Sequence, residues 1–398
     1  MPEHSNRLKR ISGDFVINIL ASVVYTFARQ IVVFPLLAAR LSEGDYGILL
    51  TVAGWANVCT AMIGGSLNNI RLIEDSRYQE RRLRGDFNLL CLLGSSVSIV
   101  FATVLWWMFA LSTVTAVLLA VYLVVSNLYQ YGTAFFRLEL NFKRTFWCNV
   151  VVSATYCATA LVFATVELWP AVFLIGEGAG LVFVSLTTPF FKEPLARTPL
   201  LSATSLTLLT YMSTGLIGNL LQYADRMILY PILGGEGVSY YSTASFFGKS
   251  ASIVMVPIAG VLLGYFAQKD FKASKKLFAI VNGCSLLCLA VFLLGCWLFA
   301  PWFTRLLYPS LYAGAAPYIF LANLSAAISI AGNMAQPMVL KACSIRWTLL
   351  IQVLYGASYL LFAWLWLPGL GLLGFCWASI AANAVRTLAL YAIGFAKF

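Results

Sequence analysis

Apolar residues fill this chain in twelve runs, each close to or above the roughly 20 residues that a helix needs to cross a hydrocarbon core. The runs are 15–39, 48–69, 87–110, 114–136, 147–166, 168–190, 206–233, 241–266, 277–300, 317–340, 349–367 and 375–395. Six of them are polar along one side. In the first, Asn18, Ser22, Tyr25 and Arg29 recur at helical spacing, which keeps them on one face. The fourth run carries Tyr122, Ser126, Tyr129 and Thr133. The seventh carries Thr207, Tyr211, Thr214, Gly218, Gln222 and Asp225. Ser242, Ser245, Lys249 and Ser252 mark the eighth, Ser325, Ser329, Asn333 and Gln336 the tenth, and Ser379, Asn383 and Arg386 the twelfth. Such stripes are either hydrogen-bonding contacts between membrane helices or the walls of a water-filled cavity. Six stripes, three of them bearing a cation, favour the cavity.

Hydrophobic residues make up 61% of the chain and charged residues 10%, against about 25% charged in a soluble domain. The expected fold class is therefore all-α and polytopic, with twelve transmembrane helices. The net charge of +11 is explained by where the basic residues sit. Twenty of the 26 lysines and arginines fall in alternate connections: 1–14, 70–86, 137–146, 191–205, 267–276, 341–348 and the C-terminal end. The intervening connections hold only Arg40 and Arg305. That alternation follows the positive-inside rule and places both termini in the cytoplasm. It accounts for the basic balance without a nucleic-acid partner. No cleavable leader is expected, because the first apolar run is too long for one. The nine cysteines lie in or beside apolar runs and read as small buried hydrophobes. The single histidine, His4, stands in the N-terminal tail. Neither a metal site nor a cofactor is expected.

The chain repeats itself. Arg29, Pro35, Glu43-Gly44 and Tyr46 have counterparts about 195 residues on in Asp225-Arg226, Pro231, Glu236-Gly237 and Tyr240. Six crossings precede the Pro- and charge-bearing connection at 191–199, and six follow it. Two six-helix bundles are expected, 1–198 and 199–398, entering the membrane from the same side. Such bundles are parallel repeats related by a pseudo-two-fold axis along the membrane normal, a transporter feature.

Four cations lie inside apolar runs: Arg29, Arg226, Lys249 and Arg386. Each costs about 2.5–3.5 kcal/mol on insertion scales unless it faces a cavity or a partner. Arg226 could pair with adjacent Asp225, although neighbours on a helix point about 100° apart. Lys249 and Arg386 could instead extend towards the interface. Two acids share the runs. Asp225 is one; the other, Glu177, sits in Gly176-Glu177-Gly178-Ala179-Gly180. Glu177 is either a protonation site or a buried neutral acid. Both acids are candidates for ion coupling. Four cations against two acids favour an anionic ligand, and arginine's planar fork suits phosphate. Asn18, Tyr25, Gln222, Asn333, Gln336 and Asn383 offer polar groups that suit sugars. The candidate substrate is then an amphiphile with a phosphate or pyrophosphate and a glycan. No catalytic constellation is present.

The run Asp225-Arg226-Met227-Ile228-Leu229, followed by Gly237-Val238-Ser239-Tyr240-Tyr241-Ser242 and Pro257, resembles the seventh and eighth helices of bacterial polysaccharide repeat-unit flippases. These O-antigen and exopolysaccharide carriers belong to the MATE-like multidrug/oligosaccharidyl-lipid/polysaccharide superfamily. Pro35-Leu36-Leu37, Leu41-Ser42 and Tyr46-Gly47 resemble the opening helix of that family. The resemblance implies a non-enzymatic flippase in the bacterial cytoplasmic membrane. Its substrate would be an undecaprenyl-pyrophosphate-linked oligosaccharide, moved to the outer leaflet by alternating access. Arg29 and Arg226 match, by position, the cavity arginines of related lipid II flippases, but two further crossings of that subgroup are lacking here. Polysaccharide polymerase and chain-length proteins are implied neighbours in the membrane. Two alternatives remain: a cation-coupled multidrug exporter of the same fold, which would want an acidic cavity, and a membrane-embedded polymerase or ligase, which would want a catalytic outer loop.

Overall fold

The computed structural model describes residues 17–252, 274–342 and 345–397. The tail with His4, the far part of the eighth predicted run with Pro257, and most of the basic segment 267–276 lie outside the described residues. Ten long helices account for most of the described residues, among which there is no strand. They are α1 (Ile17–Arg40), α2 (Glu43–Glu80), α3 (Phe87–Met108), α4 (Thr113–Leu138) and α5 (Phe142–Phe163). Then come α6 (Trp169–Thr187), α7 (Leu201–Ala244), α8 (Lys275–Leu307), α9 (Ile319–Ala342) and α10 (Ile345–Lys397). Among the described residues nine helices, all but α7, are long and apolar enough to cross a membrane. The protein is an all-α, multi-pass membrane protein.

Two of the long helices each take up residues from two predicted runs. In α10 the runs 349–367 and 375–395 are joined, with Gly371 at φ 57° breaking the helix after Pro368. In α7, Gly234 at φ 66° does the same after Pro231. Glycine alone adopts that left-handed conformation without a Cβ penalty. Between α1 and α2 only Leu41 and Ser42 lie outside the helices. Ser42 accepts a hydrogen bond from the Asp45 N–H at 3.1 Å, so the helix already starts at Glu43 with two acids in its first turn. On α8, Ile280, Leu287, Val291, Leu294 and Trp297 are exposed. An apolar face of that extent fits hydrocarbon and not water.

Packing divides the chain into two compact units: Met1–Leu41 with Thr51–Tyr223, and Ser42–Leu50 with Ala224–Phe398. In the first unit α4 packs on α3 and α6, and α5 packs on α6. The α5–α6 approach is close because of glycine. A Cβ on Gly176 would lie 2.1 Å from the Tyr156 ring, and one on Gly180 would lie 2.6 Å from Tyr129 and Val152. The connection at 191–199 is strapped into the first unit. Glu193 pairs with Arg71 at 2.5 Å, and Asn88 donates to the Glu193 carbonyl at 3.1 Å. Buried Asp86 accepts from the Thr198 N–H at 2.8 Å and from its hydroxyl, and from Tyr78 at 2.7 Å. Burial raises the Glu193 carboxyl above its ordinary range, although Arg71 pulls the other way.

In the second unit α9 packs on α8 and α10. Phe278, Ala335, Met338, Val339, Ile351 and Leu390 form a core there. The repeated Glu-Gly stretches around Gly47 and Gly235 meet inside this unit. Gly47 and Gly235 bring the backbones so near that a Cβ on Gly47 would lie 1.8 Å from the Gly235 carbonyl oxygen. Ser239 donates to the Glu43 carbonyl at 2.6 Å, and Tyr240 donates to the Glu43 carboxylate.

Candidate functional site

The first unit gathers its polar groups around a widened turn of α1. Residues Ala28–Val33 form a π-helix, closed by the Phe34 N–H bonding to the Arg29 carbonyl. Pro35 explains it. Proline has no N–H to complete the α-helical bond, and its ring clashes with the carbonyl four residues back; a π-turn relieves both. Arg29 therefore sits on a locally irregular backbone that its sequence spacing does not reveal. Its guanidinium carbon lies 5.4 Å from the Phe34 ring centre and 5.3 Å from that of Phe173. Cation–π contacts of this kind contribute about 0.5–2 kcal/mol each.

Behind Arg29 runs a hydrogen-bonded relay. Tyr25 and Tyr156 share a hydroxyl contact at 3.4 Å, and Tyr156 donates to Glu177 Oε1 at 3.0 Å. Glu177 is 3% exposed. Tyr122, Ser126 and the Arg29 charge stand close to it. The structure thus brings Arg29, Tyr25 and Glu177 together, as members of one cluster drawn from α1, α4, α5 and α6. Tyr156, Tyr122 and Phe173 complete it. Tyr122 belonged to a polar stripe in the sequence. Tyr156, whose ring packs on Gly176, and Phe173, one turn before Gly176 on α6, carried no sequence signal of their own.

The second unit holds the other three cations, each in a different setting. Lys249 pairs with Asp225 and lies 5.4 Å from the Tyr241 ring centre. Asp225 is 7% exposed. Arg226 donates through Nη1 to the Leu50 carbonyl of α2 at 2.8 Å. Arg386, on α10, donates through Nη2 to Asn333 Oδ1 at 2.7 Å and Gln336 Oε1 at 2.8 Å, both on α9. Its guanidinium lies 5.7 Å from the Tyr355 ring centre. Asn383 works one turn away as a helix clamp. Its Nδ2 bonds Ser325 Oγ at 3.1 Å and the Ser379 carbonyl at 2.9 Å, while Ser325 and Ser379 share a 2.6 Å contact. Asn18 and Gln222 are exposed and join none of these groups.

Tyr355, Tyr359 and Phe375 were not visible as site residues from the sequence. Tyr355 stacks on Tyr359 at 5.8 Å and 11°, and Tyr359 meets Phe375 at 5.7 Å. Together they make an aromatic floor beneath Arg386. Tyr308 is 3% exposed. It packs on Phe246 at 5.7 Å, with Tyr46 and Arg226 nearby.

No family model matches this sequence, and no curated protein matches it. The fold has clear counterparts among solved structures. An inward-facing multidrug-resistance transporter of the MATE family, MOP superfamily, superposes with a TM-score of 0.67 at 12% identity, over 96% of this chain and 93% of that one. The lipid II flippase MurJ, in an inward closed conformation, gives 0.66 at 12% identity, over 96% of this chain and 86% of that one. A MATE protein in a bent conformation gives 0.62 at 13% identity, over 97% and 93%. The chain has the helical fold of MATE transporters and of the lipid II flippase.

Proposed function

We propose that this protein is a flippase of the bacterial cytoplasmic membrane. It carries an undecaprenyl-pyrophosphate-linked oligosaccharide, a polysaccharide repeat unit, from the cytoplasmic to the outer leaflet by alternating access. Six crossings per bundle, with both termini in the cytoplasm, complete the proposed topology. The observation that carries this reading is the state of the intramembrane acids. Among the described residues, Asp225 is already paired with Lys249, and Glu177 is already bonded by Tyr156. Arg386 is held by the neutral amide oxygens of Asn333 and Gln336. The balance of intramembrane charge, four cations against two acids, is positive and suits a pyrophosphate. The stripes of Tyr, Ser, Asn and Gln beside it suit a glycan, while the prenyl tail remains in lipid. Arg29, Arg226, Lys249 and Arg386 supply the field, and Asp225 and Glu177 are the groups through which a coupling ion would act.

A second reading, a cation-coupled multidrug exporter, draws on the MATE transporters that share the fold. Such a carrier needs an acid free to meet a cationic drug. The pairing of Asp225 and the bonding of Glu177 weigh against it. Reconstitution into liposomes tests the proposal. The protein should speed the appearance of a short undecaprenyl-pyrophosphate-linked glycan in the opposite leaflet, and a cationic dye should not be transported. Dye transport without lipid movement would replace the flippase with the exporter.

A further inference from the structure

The connection from α6 to α7 sorts its charges. Together with the turn 81–86 that it bonds, it carries five cations, Arg81, Arg82, Arg84, Lys192 and Arg197, and two acids, Asp86 and Glu193. All five cations are exposed. Both acids turn inward: Asp86 is buried and accepts from Thr198, and Glu193 pairs with Arg71. The sorting follows from how the strap is pinned. The Asp86 N–H donates to the Ala196 carbonyl at 2.8 Å, and Asn88 donates to the Glu193 carbonyl at 3.1 Å. Arg82 and Asp86 hold left-handed backbone, at φ 53° and 54°, a strained state that persists only where the surrounding bonds fix it. Arg84 stands close to Glu193, which joins the charge of the turn to that of the strap.

Apolar side chains are divided along the same strap. Phe190 is buried against Tyr131 and Phe135. Its neighbour Phe191 is 66% exposed, and so is Leu195. The outer side of the strap therefore interleaves two large apolar groups with two cations. It also lies at helix ends. Thr187 closes α6 four residues before Phe191, and α3 starts at Phe87, next to Asp86. Both helices are long and apolar enough to cross a membrane, so the strap stands at the headgroup level of one leaflet. Apolar side chains flanked by Lys and Arg at that level enter the boundary between headgroups and acyl chains. Basic clusters beside a spanning helix attract anionic lipid. A zwitterionic lipid would leave the five cations unmatched, and an acidic soluble partner would leave Phe191 and Leu195 in water. An anionic lipid answers both.

We infer that the strap 190–199, with the turn 81–86, is a docking site for an anionic phospholipid of the surrounding bilayer. The lipid phosphate meets Lys192, Arg197 and the arginines of the turn, and its acyl chains meet Phe191 and Leu195. This lipid is a resident of the bilayer and not the cargo, so the inference goes beyond the flippase reading and does not depend on it. In the proposed topology its leaflet is the cytoplasmic one; binding in detergent is blind to sidedness and tests the site separately.

The test is thermal stabilisation of the full-length protein in neutral detergent, titrated with phosphatidylglycerol, phosphatidylcholine or soluble glycerol phosphate. A ligand that binds the native state raises its apparent stability. Phosphatidylglycerol should raise the melting temperature, and the other two should not match it. Lys192→Gln/Arg197→Gln should need tenfold or more lipid for the half-maximal shift, at about fivefold per cation removed. Phe191→Ser/Leu195→Ser should also need more. Lys275→Gln/Lys276→Gln, a basic pair at the start of α8, should behave as the wild type. An equal loss in that control would show diffuse surface charge and no site. An equal shift with phosphatidylcholine, or with glycerol phosphate, would overturn the assignment to an anionic lipid. Trypsin digestion of the wild type supplies a readout that needs no variant to fold. Phosphatidylglycerol should slow cleavage after Lys192 and Arg197 more than after Lys275 and Lys276, and equal protection at both places would sink the inference.

Discussion

Asp225 pairs with Lys249, twenty-four residues further on. Arg226, next to Asp225 in sequence, donates to the Leu50 carbonyl on α2. The acid thus balances a lysine that also lies 5.4 Å from the Tyr241 ring centre, while the Arg226 guanidinium holds the start of α2.

Removing Lys249 alone strands a carboxylate that is 7% exposed. Breaking a fully buried pair costs about 3–5 kcal/mol. Lys249 keeps 33% of its side-chain surface, so screening reduces the figure to about 2–3 kcal/mol. Lys249→Ala should therefore lower the melting temperature of the purified protein clearly. The double variant Asp225→Asn/Lys249→Gln should recover most of the loss. Equal loss in both would show that the pair contributes packing and not charge.

Gly176 and Gly178 should respond in opposite ways to alanine. A Cβ at Gly176 meets the Tyr156 ring at 2.1 Å, whereas one at Gly178 meets nothing within 4 Å. Gly176→Ala should cost about 1–3 kcal/mol as an overpacked contact and should displace the hydroxyl that bonds Glu177. Gly178→Ala should be neutral or stabilising by about 0.5–1 kcal/mol, the helix preference of alanine over glycine. Thermal melts of the two variants check this.

How much of this was legible beforehand depended on distance along the chain. The runs, the alternating basic connections and the cation-bearing faces are local patterns, and α3, α5 and α6 follow them within a few residues. Asn333 and Gln336 share one helical face, as do Asn383 and Arg386, so each pair was visible. Their meeting across α9 and α10 was not, because it depends on packing 50 or more residues apart. The same holds for the Tyr25–Tyr156–Glu177 relay, whose first link spans 131 residues. The π-turn at Arg29 was hidden for another reason. Pro35 signals an interruption, but not whether the helix kinks or widens.

The strap across residues 191–199 should be sensitive to pH once Arg71 is removed. Burial already raises the Glu193 carboxyl in the intact protein, with Arg71 opposing it. A carboxyl raised in the folded state stabilises below its unfolded value and loses that contribution as pH rises through its folded value. Arg71→Ala takes away the opposing charge. Its destabilisation should therefore be smallest in mild acid and grow as pH rises above the ordinary carboxylate range. Melting temperatures of the variant and the wild type, taken across that range, check the sign.

A pyrophosphate diester carries about two negative charges, and its outward movement across an inside-negative membrane would release roughly 4–5 kcal/mol per 100 mV. Flipping in proteoliposomes should accelerate when an inside-negative potassium diffusion potential is imposed. A rate indifferent to the potential would mean that the charge is neutralised in transit, which returns attention to Glu177.

The most direct check of the central claim is thermal stabilisation of the purified protein by undecaprenyl pyrophosphate, with undecaprenol and a lipophilic cationic drug as controls. A ligand that binds the native state alone raises its apparent stability. The account predicts a rise with the pyrophosphate, none with the prenol or the drug, and loss of the rise in Arg386→Gln. Stabilisation by the cationic drug alone would contradict it.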